Sequence, residues 1–515
     1  MCFRRGFRYL QQRQKSMSVF GPLLRIGVLA GVIGVATSSA QLGALGVNHY
    51  GFVDGDAEML AQLSQTPVPL RITFYWHRVA AAVNYYDPQV AAATRAGVPI
   101  LGILAYSSLN ESSMPRDFDF TELSPFEISW HTQNRPLSWG SNSDQGTAKY
   151  LWNATLEDGL TRPRVVAVGP PTQGGFIHGA VHFKVPEVSS VVLWANVGFL
   201  QGAGAQSRAN FSVTYFKDGA FPVLMSLEKG YDGTVRIFQA DVTRLAGEDV
   251  ELFFNVDPVK GASTEGAVWQ AAGVLVNGAP LSMLQVVGSD LQSIISYPPR
   301  DPDAFATYAG NLARRYPQVQ AWEVWNEPNA PFLWRPAANV AAYVTLLEKT
   351  YRAVKAANPR ATVVLGGLSP GDCASDVDAV RAAEFLNGVY QLSGGAFFDA
   401  VGYHAYGTGK PSNWLPSALL EIRSVMDAYG NLRKPVWITE MGYYTKGQDA
   451  VSEQIQAEYL RDARSFFAHV PYVERVYWYT LRDASRSMDP ENNYGLFRAD
   501  GSPKPAVEAF RAPRN

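Results

Sequence analysis

Apolar and polar positions follow two different periods along this chain, and the change of period divides it. Up to about residue 106, and again from 303 onward, short β-branched and aromatic runs alternate with stretches whose apolar residues recur every three or four positions. Strands separated by helical stretches imply parallel pairing. The predicted strands are Leu42–His49, Leu70–Trp76, Val98–Tyr106, Ala321–Trp325, Thr362–Gly366, Phe398–Tyr403, Val436–Thr439 and Val476–Tyr479. Helices are predicted at Pro88–Ala96, Asp303–Tyr316 and Val340–Ala357. Eight such strands suggest a closed barrel, so the expected fold class is α/β, a (β/α)8 TIM barrel.

Between the third and fourth strands the period becomes two. Residues 109–297 are too many for a loop, and Gly and Pro punctuate short alternating runs at Ala180–Val185, Ser190–Val197, Ala209–Phe216, Thr234–Ala240, Val250–Val256 and Gly266–Val276. That is the mark of an antiparallel β-sandwich, jelly-roll-like, inserted after barrel strand 3. The expected layout is a signal peptide at 1–40, the first part of the barrel at 41–108, the inserted sandwich at 109–297 and the rest of the barrel at 298–515. An insertion there lies on the face that carries the catalytic loops of such barrels. It would extend a substrate cleft and bind carbohydrate if Trp139, Trp152, Trp194 or Trp269 formed platforms; packing in the sandwich core is the better expectation for any one of them.

The candidate chemistry sits at strand ends. Trp322-Glu323-Val324-Trp325-Asn326-Glu327-Pro328-Asn329 is an apolar, aromatic strand that ends in an Asn-Glu pair, stopped by a proline. It places a carboxyl group at the mouth of a sheet beside aromatic rings, a setting that suits a general acid. Pro435-Val436-Trp437-Ile438-Thr439-Glu440-Met441-Gly442 repeats the arrangement with a second carboxylate. Two carboxylates at the ends of buried strands are the minimum for cleaving a glycosidic bond: one protonates the leaving oxygen, the other attacks the anomeric carbon or activates water.

These motifs resemble clan A retaining glycoside hydrolases, most nearly the family 39-like bacterial endoglycosidases. The resemblance implies Glu327 as acid/base after strand 4 and Glu440 as nucleophile after strand 7. It also implies that Asn326 bonds the sugar 2-hydroxyl and that Arg71 steadies the nucleophile's charge. His404 and Tyr406, in Gly402-Tyr403-His404-Ala405-Tyr406, match the clan's His-x-Tyr, with the Tyr hydroxyl donating to the nucleophile. Trp478 matches a sugar-stacking platform after strand 8; His49, Trp76 and His77 are expected at the same mouth. The activity implied is retaining hydrolysis of β-linked bonds in an oligo- or polysaccharide. A carbohydrate-binding protein without turnover, or a transglycosylase using the same carboxylates, is the alternative. The pair of carboxylates speaks against the pure binder.

Composition narrows the setting. Hydrophobic residues make up 47% of 515, ample for a large core. Six basic residues and no acid fall in residues 1–40, leaving 38 basic against 46 acidic groups in the rest, a net charge of −8. Such a body has no electrostatic reason to bind nucleic acid. Arg25 precedes a short apolar run, Ile26–Ala36, and Ser38-Ser39-Ala40 offers a cleavage site. A secretory leader is expected, with no stable membrane insertion after its removal and a secreted or periplasmic protein; an uncleaved N-terminal anchor is the alternative. Translation from Met17 would give a more ordinary leader. Cys2 would leave with the leader, so Cys373 would remain as the single thiol. No zinc-like spacing and no phosphate-binding Gly loop occurs, so no metal or organic cofactor is expected.

Overall fold

The structure, a computed structural model, describes residues 45–49, 52, 55–123, 128–132, 135–137, 146–171, 175–287, 291–371, 380–485 and 487–511. The expected leader, Cys2, Cys373 and Trp139 lie outside them. The expected fold class holds. Strands Leu45–Asn48, Leu70–Tyr75, Ile100–Ala105, Ala321–Asn326, Thr362–Leu368, Ala400–His404, Val436–Met441 and Val473–Trp478 form a closed parallel barrel, barrel strands 1 to 8, with strand 1 paired to strand 8. Several extend one or two residues beyond the apolar run, because a ladder continues as long as backbone partners are present, whatever the side chains.

Helices follow the strands at Asp56–Leu63, Asp87–Arg95, Pro302–Arg315, Val340–Ala357, Ala382–Gln391, Leu415–Ala428, Glu453–Phe467 and Pro505–Arg511. Their starts are written locally. Asp301, Asn339 and Ser452 each accept a first-turn backbone N–H, and Pro302 occupies the first turn where its missing N–H costs nothing. The helix Val340–Ala357 buries Tyr343, Leu346, Leu347, Thr350 and Val354, a three-and-four spacing that turns one face to the barrel.

Inside the barrel, Leu101, Ala321, Val364, Ala400, Trp437 and Tyr477 pack into an apolar layer. Glu323 and Thr439, two residues further along strands 4 and 7, point the same way and are fully buried. The barrel core therefore changes from apolar to polar toward the C-terminal ends of its strands, where the candidate site lies.

Residues 129–280 build the second layer system. Val223–Gly230, Arg208–Tyr215, Asp249–Pro258, Ile177–Lys184, Ser129–Thr132 and Arg135–Pro136 form one antiparallel sheet in that order. Arg236–Asp241, Val191–Phe199, Ala267–Val276, Thr161–Gly169 and Thr147–Thr155 form the other. Trp269 lies in the core between them, with the Phe211 and Phe254 rings each 5.4 Å away. The strands at Thr147–Thr155, Thr161–Gly169 and Val223–Gly230 escaped the sequence pattern because lysine, arginine and proline interrupt their alternation. The outgoing and returning chains lie side by side: Ser107 N–H donates to Ile295 C=O at 3.0 Å, its hydroxyl to Tyr297 C=O at 2.6 Å, and Ser112 bridges Pro299.

Candidate active site

Two departures from regular strand geometry create the site. Strand 4 alternates as far as Val324, with Ala321 and Glu323 facing inward. Trp325 should be the next inward residue, but its φ of 71° turns the ring outward against Phe305 and Trp334, where the indole N–H donates to Leu333 C=O at 2.8 Å. Glu327 also has a positive φ, 48°. Non-glycine residues in that region are strained by about 1–2 kcal/mol each. The deformation delivers the side chains of Asn326 and Glu327 to the barrel mouth. On strand 7 the pairing register shifts beside Glu440, against strand 6 and against strand 8. The irregularity lets Thr439 and Glu440, neighbours in sequence, both reach inward.

Arg71, only 1% exposed, is the hub. Its Nη1 donates to Glu440 Oε1 at 2.5 Å and to Asn48 Oδ1 at 2.8 Å. Its Nη2 donates to Asn326 Oδ1 at 3.1 Å, and its Nε to Glu323 Oε2 at 2.6 Å. Burial by itself would discharge this guanidinium, but Glu323 and Glu440 outweigh it and raise its pKa. Tyr406 donates its hydroxyl to the second oxygen of Glu440 at 2.9 Å.

His404 links the two candidate carboxylates. Its Nδ1 lies 2.6 Å from Glu327 Oε1 and its Nε2 lies 3.5 Å from Glu440 Oε1. Burial opposes charge on the ring, yet Glu440 and Glu327 together hold its proton to higher pH than an ordinary histidine. Burial would likewise raise the pKa of Glu440, but His404, Arg71 and the Tyr406 hydroxyl bring it below the 4.5 of an ordinary glutamate. Glu327 and Glu440 are each 12% exposed, so both are reachable from solvent yet set in protein.

The other sequence expectations fare differently. Trp478 is a correction: it is fully buried, its N–H donates to Tyr494 C=O at 3.3 Å, and it has no open face for a sugar. Trp76 stacks on Tyr308 at 5.4 Å and belongs to the core. His49 lies 3.5 Å from the buried Asp56, and half-buried His77 lies against the Tyr75 ring. Trp269 is sandwich core, and Trp152 is half-buried beneath the Arg164 guanidinium. Sequence reasoning overlooked Glu323, Asn48, Thr439 and Tyr106, whose hydroxyl accepts from Asn326 Nδ2 at 3.2 Å. The available signal was Glu323 itself: an acid within an apolar strand needs a cation opposite, and Arg71 opens strand 2. Among the described residues no group of His, Cys, Asp and Glu is arranged to hold a metal ion, and no helix is long and apolar enough to cross a membrane.

Residues 309–510, which include both carboxylates, match the family described as glycosyl hydrolase catalytic core. A β-xylosidase of Geobacillus stearothermophilus is 27% identical over 243 residues. Over that span the barrel is similar to glycosyl hydrolase catalytic cores. The match spans 41% of this chain and 46% of the β-xylosidase, so the chain covers about half the length of that relative. Among solved structures, a monomeric β-xylosidase from Caulobacter crescentus is 23% identical over 41% of this chain and 45% of its own, with a TM-score of 0.32. A family 39 glycoside hydrolase from Bacteroides cellulosilyticus is 18% identical over 62% and 79%, with a TM-score of 0.33.

The barrel needs glycine at one position in particular. A Cβ on Gly367 of strand 5 would lie 2.1 Å from His404 Nε2 and 2.6 Å from the Thr439 hydroxyl. His404 stands between the carboxylates only because strand 5 leaves that space. The electrostatics also fix a pH dependence. If Glu440 is the nucleophile it reacts as the carboxylate, so the acidic limb of kcat/KM that reports it should lie below the 4.5 of an ordinary glutamate. Tyr406→Phe removes a donor to the charged form, so that limb should move to higher pH. A limb that stays in place or moves down would exclude Tyr406 as a support of Glu440.

Proposed function

We propose that the protein hydrolyses β-linked O-glycosidic bonds in an oligo- or polysaccharide by double displacement with retention. One observation carries this reading: Glu440 accepts hydrogen bonds from Arg71 and Tyr406, while Glu327 binds the opposite nitrogen of the imidazole that faces Glu440. Direct attack requires the two carboxyl groups about 5–5.5 Å apart, closer than the gap that leaves room for water.

In the first step a Glu440 oxygen bonds to the anomeric carbon as the glycosidic C–O bond breaks, and Glu327 passes its proton to the departing oxygen. The sugar is then an ester of Glu440. In the second step water attacks the same carbon, Glu327 takes a proton from that water, and Glu440 leaves as a carboxylate. Arg71 and Tyr406 stabilise the charge on Glu440 before and after, and Asn326 lies beside it for a hydroxyl of the bound sugar. No cofactor enters either step.

The test is release of reducing ends from a panel of β-linked polysaccharides and aryl β-glycosides, with β-xylosides first because of the β-xylosidase relative. Proton NMR identifies the anomer formed first. Cleavage with the β-anomer appearing first is expected. The α-anomer first would replace double displacement with inversion, and no release across the panel would overturn the hydrolase reading.

A further inference from the structure

Glu323 is a fully buried carboxylate for which the two-step reaction has no use. Its Oε2 accepts from Arg71 Nε at 2.6 Å; its Oε1 accepts the Gly367 N–H at 2.6 Å and the Thr439 hydroxyl at 3.0 Å. Each partner adjoins a reacting group. Arg71 donates to Glu440, Thr439 precedes Glu440 in the chain, and the Gly367 carbonyl accepts the Glu327 N–H at 3.0 Å. A single acid thus touches the supports of both catalytic carboxylates.

The arrangement also divides a charge. One guanidinium stands between two carboxylates, Glu323 on its Nε edge and Glu440 on its Nη1. With Glu440 as its only acidic partner, Arg71 would hold that carboxylate tightly and make it a poorer nucleophile. A pair kept for stability alone has no need of this geometry, since buried ion pairs are often replaceable by apolar groups without loss.

We propose that Glu323 is a positioning residue of the glycosidase: it fixes the orientation of Arg71 and takes up part of its charge, leaving Glu440 ionised yet free to attack. The inference rests on the reading of Glu440 as nucleophile. Glu440 is faced by Arg71, His404, Tyr406, Tyr106, Glu327 and Glu491, and Glu323 by Arg71, Tyr343 and Tyr477. Removing the negative charge of Glu323 makes the potential at Glu440 more positive, which favours the carboxylate further.

The experiment compares the full-length parent with Glu323→Gln, which keeps the shape and loses the charge. Two readouts are taken: pH profiles of kcat and KM, and a carbon-13 NMR titration of the glutamate carboxyls, with Glu440 assigned by its disappearance in Glu440→Gln. The Glu440 midpoint should fall by about one pH unit. The kcat should drop about tenfold or more, with KM changed far less. A variant that only loses thermal stability, with midpoint and kcat unmoved, overturns the proposal.

Should Glu323→Gln fail to fold, Glu323→Asp keeps the charge and withdraws it by one methylene. A kcat lowered about tenfold with the Glu440 midpoint nearly unchanged is then expected, and parental kcat overturns the positioning role. If the parent cleaves nothing, the hydrolase reading fails by itself. The titration still decides whether Glu323 shares the charge of Arg71, and an unmoved midpoint refutes it.

Discussion

With Glu440 as the proposed nucleophile, Glu440→Gln should lower kcat/KM by a factor on the order of 10⁴ or more on every substrate, because the glutamine amide cannot form the ester to the sugar. Glu327→Gln will behave differently, and the difference assigns the roles. A substrate whose leaving group needs no proton, such as a dinitrophenyl glycoside, should still load the enzyme. Release then becomes slow for want of a base, so a burst followed by a weak steady state is expected. Substrates with sugar leaving groups should lose activity nearly as completely as with Glu440→Gln. Equal sensitivity of good and poor leaving groups in Glu327→Gln would remove Glu327 from the role of acid. Such leaving-group dependence in Glu440→Gln instead would mean that the assignments are exchanged.

Arg71→Met should cost the fold about 3–5 kcal/mol, the usual penalty for removing one partner of a buried pair. The cost arises from what remains: Glu323, fully buried, and Glu440 would face one another without the cation between them. The variant should also be inactive, since Glu440, the proposed nucleophile, loses a donor to its carboxylate. Combining it with Glu323→Gln should restore a good part of the stability without restoring activity, a coupling read from denaturant midpoints at constant m-value. A loss within about 1 kcal/mol for Arg71→Met would show that the polar layer tolerates unbalanced charge, against the expectation for a buried acid.

The barrel was legible because its strands are buried on both faces and read as unbroken apolar runs, as at Val363 to Leu365 on strand 5 or Val436 to Ile438 on strand 7. The candidate carboxylates were legible for the opposite reason, as polar residues where such runs stop. The connections between these positions were hidden. Nothing in the spacing of His404 and Glu327 says that an imidazole nitrogen will meet that carboxylate at 2.6 Å, since the contact depends on the space above Gly367 and the strained backbone of Glu327. Trp478 misled because position along a strand fixes the direction of a ring but not what covers it; the segment holding Tyr494 does so. Glu323 was overlooked because an acid within an apolar strand looks the same in sequence whether it is a register error or the partner of a buried arginine.

The close seam between residues 107–112 and 294–299 bears on how the chain matures. During synthesis, strands 1 to 3 emerge with both edges of an incomplete sheet open, and the whole of the sandwich follows before strand 4 exists. The sandwich has its own apolar core and antiparallel neighbours close in sequence, so it can consolidate while the barrel waits. Because its ends are fastened together, the finished sandwich returns the nascent chain beside strand 3, where strand 4 must pair. It acts as a spacer in time without becoming one in space.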